Sequence, residues 1–308
     1  MSIASWFAGV GETGFGFGST AEDVTQGLDL TGKTYVLTGC NSGLGGETLR
    51  VLCLRGARVF GAARSIEKAQ AACAAAPGPG EAIALACELS EPASVRAAVE
   101  TVKQSGHAID GIIANAGIMA LPTLNQRHGF ELQFFTNHVG HSILILGLLD
   151  QLSDDARIVM VSSGAHNGAP AAGIEFDNLS GERNYAGWSA YGQSKLANLL
   201  FARHLATQLP KPGQTANAIH PGVIATNLTR SMNIVLRTVW ALAGPLVLKN
   251  TAQGAATQVY VATHPDAGKH NGLYWSDCNL KTSSAHGRDD AMAAKLWERT
   301  QTILAELP

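Results

Sequence analysis

From Thr34 onward the chain alternates short apolar runs rich in β-branched residues with longer stretches of helical period, and that alternation leaves few folds open. Parallel strands need long crossovers, and helices are the usual ones, so repeated strand–helix units build one parallel sheet covered on both faces. The apolar runs predict strands near 34–38, 58–62, 82–87, 110–114, 156–162, 214–219 and 271–275. Helices are predicted near 43–55, 65–75, 91–105, 126–151, 187–208, 250–263 and 287–306. The expected fold class is α/β: a doubly wound, seven-stranded parallel sheet with helices on both faces, in a single domain over residues 31–308. Residues 1–30 precede it as a Gly/Phe-rich arm, where Ser19 and Glu22 fit a capping box and predict a short helix before Gly27.

Composition removes several classes of function. With 15% charged residues and a mean hydropathy of +0.08, the chain lacks the composition of a disordered protein. A net charge of -2 and the lack of any basic run argue against a nucleic-acid partner. The 5 cysteines form no CxxC pair and no zinc-spaced cluster, so the expectation is reduced thiols, no metal and a cytoplasmic location. No Lys or Arg precedes Lys33, unlike a cationic secretion signal. The most apolar stretch, 232–248, contains Arg237, Gly244 and Pro245 and falls short of the roughly 20 uninterrupted residues of a membrane span. Two readings of it stay open: a substrate lid at about 223–250 with a peripheral membrane contact, or a buried core helix.

Two glycine-rich stretches compete as phosphate loops. Gly9-Val10-Gly11-Glu12-Thr13-Gly14 matches GxGxxG, but Phe15-Gly16-Phe17-Gly18 follows it and cannot start a helix, so the match is a decoy. Thr38-Gly39-Cys40-Asn41-Ser42-Gly43-Leu44-Gly45 instead lies between an apolar strand and a helix, as a dinucleotide-binding Rossmann unit requires. Its glycines let backbone approach a pyrophosphate, and the helix N-terminus offers free N–H groups and a positive dipole. A tight turn would use glycines in the same way. The second strand ends at Ala63-Arg64, where an NAD site would carry a carboxylate for the ribose 2′-hydroxyl. Arg64, with Asn41 and Ser42 as neighbouring donors, suits a 2′-phosphate instead, so NADP(H) is favoured over NAD(H); the alternative is a solvated Arg beside Glu67.

Tyr191 and Lys195 fall one turn apart on a predicted helix, and Ser162-Ser163 directly follows the strand 157–161 at the sheet's carboxyl edge. A phenol with a pKa near 10 needs a nearby cation to exchange protons at neutral pH, and Lys195 with an oxidised nicotinamide could supply it.

With these residues assembled, the chain resembles the short-chain dehydrogenase/reductase family. The matches are TGCNSGLG at 38–45, NAG at 115–117, Asn137 in NHVGH, VSSGAH at 161–166, YGQSK at 191–195 and HPG at 220–222, in the family's order along nearly the whole chain. Within the family it is most similar to the retinol dehydrogenase and WW-domain oxidoreductase branch, through TAEDVTQGLDLTGK, FELQFFTNHVGH, GWSAYGQSKLANLLFA and YWSDCN, although it has no WW domain.

The resemblance implies that Tyr191 is the general acid and base, that Ser163 bonds the substrate oxygen, and that Lys195 lowers the phenol pKa and holds the ribose. Asn137 would hold a relay water. Gly39, Asn41, Ser42, Gly43, Leu44, Gly45 and Arg64 would bind the phosphates, Glu88 and Leu89 would lie beside the adenine, and Asn115, Ala116 and Gly117 would line the cleft. Pro221, Gly222, Val223 and Thr226 would meet the nicotinamide end. Asn115 alternatively stabilises a turn, and His138 and His141 read as packing or surface residues.

Three departures stand out: Glu88 replaces a common Asp, Cys40 replaces a common Ala, and the 166–188 segment lengthens the path from Ser163 to Tyr191, as in the retinol dehydrogenase branch. The expected activity is NADP(H)-dependent interconversion of a small hydrophobic alcohol and its carbonyl, with a homo-oligomer compatible. Carbon–carbon double-bond reduction and a non-catalytic nucleotide sensor or scaffold are the alternatives.

Overall fold

The computed structural model describes residues 9–224 and 248–308. Ten strands are found there: β1 (Thr34–Thr38), β2 (Arg58–Ala63), β3 (Glu81–Ala86), β4 (Ile109–Ala114), β5 (Gln126–Arg127), β6 (Phe130–Glu131), β7 (Leu152–Val161), β8 (Thr215–His220), β9 (Tyr274–Ser276) and β10 (Asn279–Leu280). Eight form the main sheet in the order β10-β9-β8-β7-β4-β1-β2-β3. Seven run parallel, as expected; the eighth, β10, pairs antiparallel with β9 at the edge. Asp277 and Cys278 adopt positive φ (52° and 61°) and turn the chain back between those two short strands, a conformation that apolar periodicity does not reveal.

The sheet buries both faces, which is why its central strands read as continuous apolar runs. On one face Val36, Ile112 and Ile158 pack with Val99, Leu144 and Leu205. Their strand neighbours Leu37, Ile113 and Val159 point the other way, onto Leu52, Val259 and Tyr260. The covering helices are α1 (Gly43–Leu54), α2 (Ile66–Ala74), α3 (Pro92–Gln104), α4 (Leu132–Phe134), α5 (Gly140–Gly147), α6 (Gly187–Leu205), α7 (Thr251–Thr263) and α8 (Asp290–Glu306). Local chemistry starts several of them. Pro92 opens α3, where a missing N–H costs nothing. Asn250 and Gln253 form a reciprocal capping box on α7, and Asp289 accepts from Met292 N on α8.

The expected helix at 126–151 is three things instead. His128 and Gly129 take φ of 49° and 82° and close the β5–β6 hairpin, because two positive-φ residues match the twist of a two-residue loop. Helix follows, but residues Phe135–Val139 form a π turn between α4 and α5, and a 3₁₀ turn ends the segment at Leu149–Gln151.

In the arm, the helix before Gly27 is a single 3₁₀ turn, Asp23–Thr25. Its reciprocal bonds join Thr20 and Asp23 (Thr20 N to Asp23 Oδ2, 2.8 Å; Asp23 N to Thr20 Oγ1, 3.1 Å), one residue beyond the Ser19/Glu22 pair expected. The GxGxxG decoy docks on the β9–β10 turn, with Thr13 N bonded to Asn279 Oδ1. Most of the apolar 223–250 stretch, Thr226 included, lies outside the described residues.

Candidate active site

The chain runs β1, β2, β3 in one direction and then crosses to place β4 on the other side of β1. That reversal opens a crevice beyond the carboxyl ends of β1 and β4, where doubly wound sheets bind ligands. Thr38 and Asn115 close its floor: Asn115 Nδ2 donates to Thr38 O at 2.8 Å, and Thr38 Oγ1 accepts from the N–H groups of Asn115 and Ala116 at 3.0 Å each. Asn115 Oδ1 also accepts from Gln258 Nε2 at 3.2 Å, so this side chain is spent on holding the turn. Gly39 (φ +72°) passes so close to the turn that a methyl group there would lie 3.1 Å from Ala116 Cα.

On the phosphate side, Asn41 and Ser42 are exposed, and Ser42 at the N-cap of α1 makes no capping bond to the first turn. Gly43 (φ +55°) has open space around it. An uncapped helix N-terminus facing open space fits an anionic phosphate. Leu44 instead turns inward, towards Gly254 of α7, and Gly45 is buried against Gly39 O.

Arg64 is exposed at the end of β2 and, among the described residues, makes no ion pair. Glu67, its expected solvated partner, takes bonds from its own backbone N–H and the Ser65 hydroxyl, which hold its carboxyl below the usual range. Glu88 folds back on Ser90, accepting from Ser90 N and Oγ at 3.1 and 2.9 Å, and the Leu89 side chain is buried in the core.

The four expected catalytic residues converge at the ends of β4, β7 and α6. Helix α6 carries Tyr191 and Lys195 on its buried face, and Lys195 Nζ sits 5.7 Å from the centre of the Tyr191 ring while donating to Val161 O at 2.9 Å. The two serines after β7 separate by environment. Ser162 Oγ donates to Lys195 O at 2.7 Å and is buried. Ser163, partly exposed, places its hydroxyl beside the Tyr191 phenol. Asn137 lies in the π turn: its Oδ1 accepts from Ile118 N, and its Nδ2 donates to Ile118 O and Ser194 Oγ, all at 2.9 Å. Gly117 fits between these groups, since a methyl there would lie 3.1 Å from Asn137 Oδ1 and 3.3 Å from Lys195 Nζ.

Burial raises the Tyr191 phenol, with the Ser163 hydroxyl pulling the other way, and burial drags the Lys195 ammonium down to about 8.

Several contributors were not singled out from the sequence. His166 Nδ1 donates to Ser163 O at 2.6 Å, and His220 Nδ1 accepts from Gly164 N at 3.1 Å, so two histidines fix the loop that carries Ser163. Burial lowers both, His220 to about 4, and keeps them neutral. Lys249, fully buried, pairs with Asp277 at 2.6 Å, and its stem fills the space beside Gly222 (φ +91°), where a methyl would come within 2.7 Å of its Cδ. Its backbone N donates to Val223 O at 3.0 Å, and Pro221, one residue before Gly222, is buried. His166 and His220 had a visible signal, in VSSGAH and HPG; Lys249 had none.

Residues 33–235 match the short chain dehydrogenase family. The chain belongs to that family. It is 39% identical to "Short-chain dehydrogenase TIC 32 B, chloroplastic" of Brassica napus, over 97% of each chain. It is 38% identical to "Retinol dehydrogenase 12" of Mus musculus, over 91% of this chain and 89% of that one. Among solved structures, a short chain dehydrogenase from Burkholderia cenocepacia J2315 in complex with NADP superposes with a TM-score of 0.65 at 25% identity, over 80% of this chain and 96% of the other. As a short-chain dehydrogenase the protein is an oxidoreductase of single-domain Rossmann-like fold.

Proposed function

We propose that this oxidoreductase uses NADP(H) to interconvert a small hydrophobic alcohol and its ketone or aldehyde. The observation that carries the reading is the convergence of Ser163, Tyr191, Lys195 and Asn137 at the crevice beyond β4 and β7. A bound nicotinamide would supply or accept the hydride and, when oxidised, would add positive charge to the site. Tyr191 gives its proton to the carbonyl oxygen in reduction and takes it back in oxidation. Ser163 holds that oxygen, and the protonated fraction of Lys195 binds the ribose and favours the phenolate. Asn137 positions the chain at Ile118, and it would hold a water that relays the replacement proton.

Asn41, Ser42 and Arg64 bind phosphates; Gly39, Gly43 and Gly45 admit them to the backbone. Exposed Arg64 at a strand end without a carboxylate supports NADP(H), as does the NADP named for the Burkholderia protein. Pro221, Gly222, Val223 and Thr226 form the nicotinamide end. Trp188, 54% exposed and packed edge-on at 6.1 Å against the Tyr191 ring, offers an apolar face at the entrance, together with Val223 at 48%. The retinol dehydrogenase relatives support a hydrophobic substrate, and 5 free thiols support a reducing, cytoplasmic address. The test is NADPH oxidation over a panel of hydrophobic ketones, aldehydes and enones. Tyr191→Phe should lower kcat by about 10²–10⁴ and leave NADPH binding intact. Turnover of enones alone would move the assignment to double-bond reduction; NADPH binding without any turnover would move it to a sensor.

A further inference from the structure

Gly61, in the middle of β2, leaves room for two sulfur atoms. A methyl group at Gly61 would lie 2.9 Å from Cys73 Sγ and 3.2 Å from Cys40 Sγ, so both thiols press on one small patch of backbone. Cys40 belongs to the phosphate loop and is fully buried, whereas Cys73, near the end of α2, is partly open to solvent. We propose that Cys40 and Cys73 are a disulfide-forming pair, and that closing the bond weakens nucleotide binding at the adjoining loop. The first half stands on the thiol geometry alone; the second rests on the cofactor reading above.

The two thiols are chemically unequal in the direction this reaction needs. The Cys40 S–H and the Gly61 backbone stabilise the Cys73 thiolate and hold its pKa below the ordinary range, while the same bond, with burial, pushes Cys40 up. Cys73 is thus both the better nucleophile and the one an oxidant can reach. With hydrogen peroxide as oxidant, the Cys73 thiolate attacks one oxygen, the O–O bond breaks, a sulfenic acid forms, and the departing hydroxide takes up the proton that Cys73 lost on ionising and leaves as water. Cys40 sulfur then attacks the Cys73 sulfur, the S–O bond breaks, and hydroxide leaves with the Cys40 proton as a second water. Two thiols are oxidised by two electrons and the peroxide is reduced by two. A disulfide needs its sulfurs about 2.05 Å apart, which from this arrangement asks for side-chain rotation and a small shift of the loop.

That shift falls on the two elements bearing the proposed phosphate ligands. Cys40 is followed by Asn41 and Ser42, and α2 starts at its N-cap Ser65, next to Arg64. Cys40 N donates to Ala62 O at 3.1 Å, so pulling Cys40 toward α2 strains the loop at its junction with β2. Cys53, buried and pushed up to about 11, also lies near Cys73 and is the competing partner.

The experiment treats the full-length reduced protein with hydrogen peroxide, maps unreduced peptides by mass spectrometry, and titrates NADPH by fluorescence before and after. The expected results are a Cys40–Cys73 linked peptide, NADPH affinity about tenfold weaker, and recovery with dithiothreitol. Cys73→Ser should keep its affinity through peroxide treatment. A Cys53–Cys73 peptide, or none, overturns the pairing; a Cys40–Cys73 bond with unchanged affinity overturns the coupling. If the reduced protein binds no NADPH, the cofactor reading and the coupling fall together, and the peptide map still decides the disulfide.

Discussion

His141 Nδ1 lies 2.8 Å from the carbonyl oxygen of Asn137, one turn earlier in the same helical segment. A carbonyl only accepts, so Nδ1 carries the proton and Nε2, 2.8 Å from Thr38 Oγ1, receives one. The ring thereby ties the π turn that presents Asn137 to the strand end that anchors Asn115 and Ala116. His141→Phe keeps an aromatic ring but removes both bonds and leaves the buried Thr38 hydroxyl without that acceptor, so it should cost about 2 kcal/mol of unfolding free energy in urea titration. An unchanged midpoint would show that the bridge is dispensable.

Arg64 is the free cation beside the phosphate loop among the described residues there, and NADP(H) differs from NAD(H) only by the phosphate it is proposed to meet. Arg64→Ala should weaken NADPH binding by about 1.5–3 kcal/mol while leaving NADH binding unaltered. Calorimetry with both cofactors checks it, and a wild-type protein indifferent to the 2′-phosphate would sink the assignment.

Buried neutral histidines make the fold sensitive to acid. Burial lowers His138 to about 3 and His141 and His220 to about 4, below the ordinary 6.5. Over that interval the unfolded chain binds protons that the native state refuses, so the stability is fully present above pH 6.5 and is lost as pH falls toward 4. The loss should amount to about 3 kcal/mol for each histidine that stays neutral down to pH 4. Melting temperatures measured across this range should fall less steeply in His138→Gln, which cannot take up the proton; equal slopes would contradict the assignment.

The strand–helix alternation was legible because central parallel strands are buried on both faces and cannot hide among polar residues, as Val36 to Thr38 and Ile158 to Val161 illustrate. Tyr191, Lys195 and the Ser162-Ser163 pair stood out through spacing and position in the sheet, while the choice of Ser163 came from the family resemblance. What escaped depends on backbone sign or distant pairing. The His128-Gly129 turn broke a helix that hydrophobic period alone favoured. The bonds from Ser90 N and Oγ to Glu88 Oε1 are local, but no hydrophobic period announces them. Cys40 and Cys73 are separated by a whole strand–helix unit, and only the packing of β2 brings them to Gly61.

Lys249 and Asp277 give the last prediction. The ammonium is fully buried, 2.6 Å from Asp277 Oδ1 and 5.1 Å above the Phe17 ring, so the arm covers an ion pair whose lysine stem also supports Gly222. A buried charge deprived of its partner is far more costly than the pair is favourable, because desolvation is no longer offset. Asp277→Asn preserves shape, and Asn tolerates the left-handed backbone (φ 52°) at this position, so charge is the main variable changed. It should destabilise the protein by about 3–5 kcal/mol. Adding Lys249→Met removes the orphaned charge and should recover most of that loss, the flexible thioether filling the lysine stem's track beside Gly222. Chemical denaturation of the wild type, both single variants and the double variant closes the cycle. If the double variant is no more stable than Asp277→Asn alone, the cost lies in the β9–β10 turn itself rather than in the stranded ammonium.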